Sequence, residues 1–379
     1  LSYAAALSLI VLCFLALVQL TSIALATLRL LRPSQESFAQ EGVTILKPIS
    51  GLENNIEKTL RSSFHVNYPR YELIFCAASS EDPAVPLVKY LLSANPGISA
   101  RLLIGDEKIS QNPKLNNLFK GWKACAYDLV VISDSNVLIP PDYIRRLLAC
   151  RSETTFVVCS PPVAVDAKGL AASVEAAFLN TYQARWQMAA DLLGVGFVQG
   201  KTMMLSRQEL EPYGGLAGLA SEIAEDAAAT KIARRSGSQV RIVDEPFFQP
   251  LGRRSFRDVW QRQVRWAELR RRSFPLAYFG EILTGSGLPT GLYLALVQSG
   301  MAPLIGLPIM IAIWYALEIL LAAAFRWPLN PTLVASFFLR DFLIPVVWLA
   351  GWLAQGFVWR GNKIDTRKFA SDRPLPLEN

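Results

Sequence analysis

Three acids offer this chain its most direct chemistry. Asp134 follows four apolar residues and one serine in DLVVISDS, which sets it at the carboxyl edge of a strand. An acid there can take a divalent cation bound to a diphosphate, because hard cations seek carboxylate and phosphate oxygens. A solvated loop acid or a helix cap would leave the same trace. Asp82 has a similar edge position after YELIFCAASSE, and it reads equally well as the N-cap before Pro83. Asp226 lies in IAED, inside a helical pattern that Ser221 is placed to cap. A carboxylate at a helix start could take a proton from an acceptor hydroxyl as a new bond forms. Glu222, Glu225 and Asp226 could equally be a favourable acidic first turn.

Arg262 and Arg265 stand three apart in R-x-x-R-W and share a helix face. Together they can grip a diphosphate leaving group and neutralise its developing charge. Trp266 adds an aromatic surface for a sugar or for a membrane interface. The competing reading is an interfacial basic helix with snorkelling arginines, which suits the rest of the cluster. In NPKLNN, Lys114, Asn116 and Asn117 could hold uracil, ribose or phosphate, or simply form a loop and cap. Strand-edge acids, a helix-start acid and paired arginines together fit a sugar-nucleotide site.

The elements that must position these residues alternate between Gly42 and about Phe274. VTILKPI, YELIFCAAS, ARLLIGD, DLVVISDS and TTFVVCSPP read as buried strands. LENNIEKTLRSSF, DPAVPLVKYLLSANP, NPKLNNLFKGWKACAY and PDYIRRLLAC read as the helices between them, the second opened by Asp82 with Pro83 in its first turn. GVGFVQGKTMMLSR and SQVRIVDEPFF read as later strands around the helix SEIAEDAAATKIARRS. This alternation predicts a parallel, doubly wound sheet whose ligands bind at the carboxyl ends of its strands.

The ends have another composition. The chain is 52% hydrophobic with 18% charged residues, too apolar for an ordinary soluble enzyme and too charged for a pure membrane bundle. Tyr3 to Leu28 carries no charge and can cross a ~30 Å hydrocarbon core. Arg29 and Arg32 follow it, and the positive-inside rule then puts the next segment in the cytoplasm. Apolar stretches from Leu288 to Phe325, broken by Pro303 and Pro308, and from Leu333 to Val358 predict two more crossings and return the tail to the cytoplasm. Arg340 and Asp341 in the last stretch are expected at the interface, by sliding or snorkelling, rather than as an intramembrane pair.

The net charge of +7 is local, since eight arginines fall between Arg253 and Arg272. With membrane segments directly after it, this patch suits anionic headgroups and a nucleotide diphosphate better than nucleic acid. The five cysteines show no C-x-x-C and read as buried free thiols. His65 is the one histidine, which argues against a His-based metal site or a Ser-His-Asp triad.

From TILKPISGLENN to QRQVRWAELR the chain resembles the ceramide glucosyltransferase family, glycosyltransferase family 21 of the inverting GT-A group. KPISGLE, YPRYELIFC with DPA, NPKLNNL, the strand ending in DS, QGKTMMLSR, IAED and R-x-x-R-W recur in order and spacing. The resemblance implies a GT-A (Rossmann-like) domain over 42–274 that includes the R-x-x-R-W element. An N-terminal anchor over 1–32, an interfacial helix over 275–287, a membrane region over 288–359 and a cytoplasmic tail over 360–379 complete the expected organisation. It implies Asp82 and Asp134 on the nucleotide and diphosphate, with Mg²⁺ or Mn²⁺ at Asp134. Asp226 is then the base, Lys114 and Asn116 belong to the donor site, and Arg262, Arg265 and Trp266 act on the product diphosphate and acceptor. In Asp134-Ser135-Asn136 the wider group carries a second Asp. The implied reaction moves glucose from UDP-glucose to ceramide, on the cytoplasmic face of a bacterial inner membrane. N-acetylglucosamine transfer to a hopanoid polyol, a processive polysaccharide synthase and a non-catalytic membrane-anchored binding protein are the other readings.

Overall fold

The computed structural model describes residues 3–32, 40–359 and 361–367. Most of the expected cytoplasmic tail lies outside them. The chain divides into a sheet unit (Arg32–Val163, Ala190–Gly252 and Gln355–Asn379) and a membrane unit (Leu1–Leu31, Ala164–Ala189 and Arg253–Ala354).

The main sheet of the sheet unit has seven strands: β1 (Val43–Ile49), β2 (Tyr71–Ala77), β3 (Ala100–Ile104), β4 (Leu129–Ser133), β5 (Thr155–Cys159), β6 (Thr202–Ser206) and β7 (Gln239–Ile242), in the order β3-β2-β1-β4-β6-β5-β7. β1, β4 and β6 are near-continuous apolar runs because both of their faces are covered. β1 pairs in parallel with β2 and β4, with Ile45 opposite Leu73 and Val131. β6 departs from the expected parallel sheet. GVGFVQG is not strand; the chain joins the sheet at Thr202, opposite Ser133, and runs antiparallel to β4 and β5. That direction sets the start of β6, and so Gly200 and Lys201, at the carboxyl edge of β4.

Helices cover the sheet. Ile45, Leu73, Phe75, Val131 and Ile144 belong to one core cluster. α4 (Pro113–Ala124) lies so close that a Cβ on Gly121 would meet Leu46 Cδ1 at 2.4 Å and Cys76 Sγ at 2.5 Å. Two helices start later than expected. α3 (Val85–Ala94) begins after Asp82 and Pro83, with Pro86 in its first turn. The helix of IAED begins at Glu225, so Ala224 and not Ser221 is its N-cap; Ser221 closes a preceding 3₁₀ turn. α2 (Ile56–Ser62) and α5 (Tyr143–Ala149) follow the sequence pattern. Of the five free cysteines Cys13 is exposed, against expectation, because it lies on the outer face of the first helix.

The membrane unit contains α1 (Tyr3–Leu30) and α6 (Leu170–Ala177). A π-helical stretch (Phe178–Ala184) joins α6 to α7 (Arg185–Leu192), which runs on into the sheet unit. With α8 as the IAED helix (Glu225–Arg235) of the sheet unit, the membrane unit continues as α9 (Phe256–Ser273), α10 (Pro275–Gly280), α11 (Gly287–Gln298), α12 (Gly306–Ala324) and α13 (Pro331–Leu353). Among the described residues α1, α12 and α13 are long and apolar enough to cross a bilayer. The prolines split the second apolar stretch into α11, too short to span, and α12.

Arg340 and Asp341 are not interfacial. Both are fully buried in the middle of α13. Arg340 Nη2 donates to both carboxylate oxygens of Glu318 at 3.0 Å, its Nε to Asp341 at 2.7 Å and its Nη1 to Thr181 at 2.8 Å. Arg185 Nη1 donates to Gln19 at 2.9 Å, and Gln19 donates to Glu318. Two arginines and two acids thus balance, and charge leaves water only because each group finds its partners.

A capping box opens α9: Ser255 Oγ accepts from Asp258 N at 3.1 Å while Asp258 Oδ2 accepts from Ser255 N at 3.2 Å. Its arginines snorkel less than expected. Arg270 is bidentate to Glu281, and Arg271 donates to the Gly351 and Ala354 carbonyls. α10 docks through buried Tyr278, whose hydroxyl donates to Trp348 O at 2.7 Å. Leu276 and Phe279 of α10 are exposed.

Candidate active site

The site of the sheet unit grows from the edge where β4 ends and β6 begins. Asp134 is the residue after β4. Its Oδ1 lies 2.7 Å from Lys114 Nζ and its Oδ2 3.0 Å from Lys201 Nζ. Lys114 comes from the first turn of α4, which Asn112 caps by accepting from Lys114 N at 2.8 Å. The same Lys114 ammonium reaches Glu225 Oε1 at 2.7 Å and donates to Gly200 O at 2.7 Å. Asn112 Nδ2 holds the other Glu225 oxygen at 2.9 Å.

Asp226 stands beside this cluster at the start of α8. Its Oδ2 accepts from Gly200 N at 2.9 Å and its Oδ1 from Ala227 N at 2.8 Å. Gly200 has no room for a side chain, since a Cβ would lie 2.8 Å from Glu225 Oε1 and 3.3 Å from Asp226 Oδ2. Burial, and then the neighbouring Glu225 charge, raise the Asp226 carboxyl to about 6. Asp134 moves the other way. Burial disfavours its charge, but Lys114 and Lys201 outweigh that and hold it well below the usual carboxylate range. Two acids on one edge are therefore driven apart, one ionised and one poised to exchange a proton near neutrality.

Asp82 joins the edge from β2. Its carboxylate accepts from Gly51 N at 2.9 and 3.1 Å and from Ala84 N at 2.9 Å, so it ties the KPISG loop to the turn before α3. Glu53 of the same loop accepts from Asn136 Nδ2 at 2.8 Å, and Asn136 Oδ1 accepts from Lys201 at 3.2 Å. One loop and a run of bonds thus link Asp82, Asn136, Asp134, Lys114 and Asp226. Asn116 serves its own turn, where its Oδ1 accepts from Ser110 N and its Nδ2 donates to Ser110 O. Asn117 Nδ2 donates to the Ile49 and Cys76 carbonyls and fastens the ends of β1 and β2.

Four participants escape the sequence pattern. Gly200 and Lys201 sit in QGK, a motif visible in the sequence, but their place depends on the reversed direction of β6. Glu225 is hidden behind its neighbour Asp226. Lys47 is buried in β1 and donates to Ser133 Oγ at 3.2 Å and Asp134 O at 2.9 Å. Burial lowers its pKa to about 7 against the pull of Asp134.

Among the described residues no group of three acid, thiol or imidazole side chains gathers as a metal cage. The donor set still suits Mg²⁺ or Mn²⁺ shared with a diphosphate, since such ions take one or two protein oxygens plus phosphate and water. The Lys201 ammonium bridges Asp134 Oδ2 and Asn136 Oδ1, a cation between two hard oxygens.

The R-x-x-R-W residues belong to the membrane unit. Arg262 Nη1 donates to buried Glu175 at 2.6 Å, and its guanidinium lies 6.0 Å from the Trp266 ring centroid. Arg265 and Trp266, one turn on, are half-buried.

Comparison with known proteins adds the family. The family described as "Glycosyl transferase family 21" matches residues 8–370. Ceramide glucosyltransferase 3 of Caenorhabditis elegans is 27% identical over 357 residues, covering 91% of this chain and 77% of that protein. Ceramide glucosyltransferase 1 of the same organism is 29% identical over 331 residues, covering 85% and 71%. A mannosyltransferase of Pyrobaculum calidifontis, solved with GDP-Man and Mn²⁺, superposes with a TM-score of 0.57 at 16% identity, over 92% of this chain and 98% of that one. This likeness establishes the GT-A fold. The chain belongs to glycosyl transferase family 21 and is a glycosyltransferase.

Proposed function

We propose that the protein transfers glucose from UDP-glucose to the primary hydroxyl of ceramide with inversion at the anomeric carbon. The observation that carries this reading is the bonded edge of the sheet, where the Lys114–Asp134–Lys201 cluster adjoins Asp226. The cluster suits a diphosphate, and Asp226 suits the base. The relatives named ceramide glucosyltransferase support the donor and acceptor. The three apolar helices suit a lipid acceptor, and Arg29 and Arg32 after α1 favour a catalytic unit in the cytoplasm.

In this mechanism Asp226 accepts the proton of the acceptor hydroxyl as its oxygen attacks the anomeric carbon. The bond from that carbon to the diphosphate breaks on the opposite face, and the electron pair leaves on the phosphate oxygen. Lys114 and Lys201 meet the growing negative charge. Asp82 holds the Gly51 loop in place beside the nucleotide. Asp134, with Asn136 beside it, would hold a divalent cation, which would supply further positive charge to the leaving group. Asp226 passes its proton to solvent when the product leaves.

The test is a donor-by-acceptor matrix with the purified full chain in lipid vesicles, read by product mass, with and without exhaustive chelation. Glucosylceramide from UDP-glucose supports the reading. Sugar on a hopanoid polyol or on a soluble acceptor in preference to ceramide refutes it, and full activity after chelation refutes the metal.

A further inference from the structure

One face of α9 in the membrane unit borders a groove. Phe256, Trp260 and Gln263 of α9, Phe178 of the π-helical stretch, and Leu343 and Val347 of α13 line its volume of about 360 Å³. That volume is within the ~300–1,000 Å³ of ligand pockets. The polar side chains of its lining are those of Gln263 and Arg257, and Arg257 lies exposed. Gln263 is 2% exposed, and its Nε2 has no hydrogen-bond partner. The rest of the lining is almost wholly apolar, so the groove suits a ligand that is apolar along its length, and the Gln263 amide beside it is a buried donor that is costly to leave unmade.

The surroundings say how such a ligand arrives. Leu343 and Val347 belong to α13, a helix able to cross the bilayer, so an alkyl chain can enter sideways without crossing water. Phe256 and Trp260 are 56% and 40% exposed, an aromatic rim of the kind found at headgroup level. We propose that the groove holds one alkyl chain of the acceptor lipid, with Gln263 Nε2 donating to the amide or hydroxyl oxygen at the head of that chain. This rests on the lipid-acceptor reading above and adds to it the side chain that senses the lipid's polar head. Gln263 lies between Arg262 and Arg265 on the same helix, so a seated lipid and the motif arginines are set by one element.

The experiment uses the full chain in nanodiscs with a ceramide that carries a diazirine in its acyl chain. Crosslinked peptides are mapped by mass spectrometry, and turnover is followed on the same lipid. Labels on 256–263 or 343–347, displaced by unlabelled ceramide, are expected. Leu343→Trp fills the groove and raises the KM for ceramide at least roughly tenfold, the loss of about two buried methylenes. Should that variant fail to fold, Gln263→Leu keeps the volume and removes the donor. It is expected to erase a roughly tenfold preference for ceramide over an analogue lacking the head-group oxygen. Ceramide glucosylated with labels only elsewhere, and with the Gln263→Leu preference intact, overturns the groove and leaves the acceptor reading standing. Displaceable groove labels without any glucosylated product support the groove and overturn ceramide as the acceptor.

Discussion

The raised pKa of Asp226 gives the base assignment a quantitative consequence. Its carboxyl sits at about 6 because it is buried beside Glu225. A base works only when ionised, so kcat/KM falls as pH drops through that value. From pH 7 to pH 5 the ionised fraction goes from roughly nine-tenths to roughly one-tenth, about a tenfold loss of rate. An aspartate at its ordinary 3.8 would stay almost fully ionised over the same range and lose less than about a tenth. The assay is initial-rate UDP release in nanodiscs with ceramide at fixed ionic strength, corrected for release without acceptor. Glu225→Gln removes the second cause but not the burial, so the acid limb should move down part of the way. Asp226→Asn should abolish the limb together with at least roughly 10² of the rate. A flat profile between pH 5 and 7, or a limb that survives in Asp226→Asn, would refute the reasoning.

Three further outcomes follow from individual contacts. Gly200→Ala drives a methyl against Glu225 and Asp226 and should cut kcat by at least roughly tenfold, the cost of misplacing the base; unchanged turnover would show that the Gly200 contact has no part in catalysis. Arg265→Lys keeps the charge but loses the two-pronged geometry, so kcat should fall while an interfacial role alone would leave it unchanged. Arg340→Met leaves Glu318 and Asp341 buried without their partner and should destabilise the membrane unit by about 3–5 kcal/mol, read as a lower unfolding temperature in detergent; wild-type stability would refute the coupling.

The sequence pattern carries the strands of the sheet unit because each buried run is short and bounded by turn residues. It places Asp134 and Asp82 at strand ends for the same reason. It cannot carry the direction of β6, since a buried strand of five residues reads alike in either orientation, and with that direction goes the role of Gly200 and Lys201. Helix starts slip by a few residues where a cap is supplied by geometry and not by a Ser or Asp, as at Ala224. Arg340 and Asp341 show the limit most clearly. Arg340 finds Glu318 and Thr181, and Asp341 finds Ser286 and Tyr315, outside their own helix, so local hydropathy does not see what compensates them. Lys114 shows the opposite case: its motif marks it as a polar ligand group, and only the fold adds that it bridges Asp134 and Glu225.

The central claim is inverting glucosyl transfer to a lipid by one base on one sheet edge. The most direct measurement incubates the purified full chain with UDP-glucose and ceramide in vesicles, then determines the mass and anomeric configuration of the lipid product by mass spectrometry and proton NMR. Because the donor is α-linked, single displacement predicts β-glucosylceramide formed in step with UDP. An α-linked product, or UDP released with no glycosylated lipid, would contradict the account.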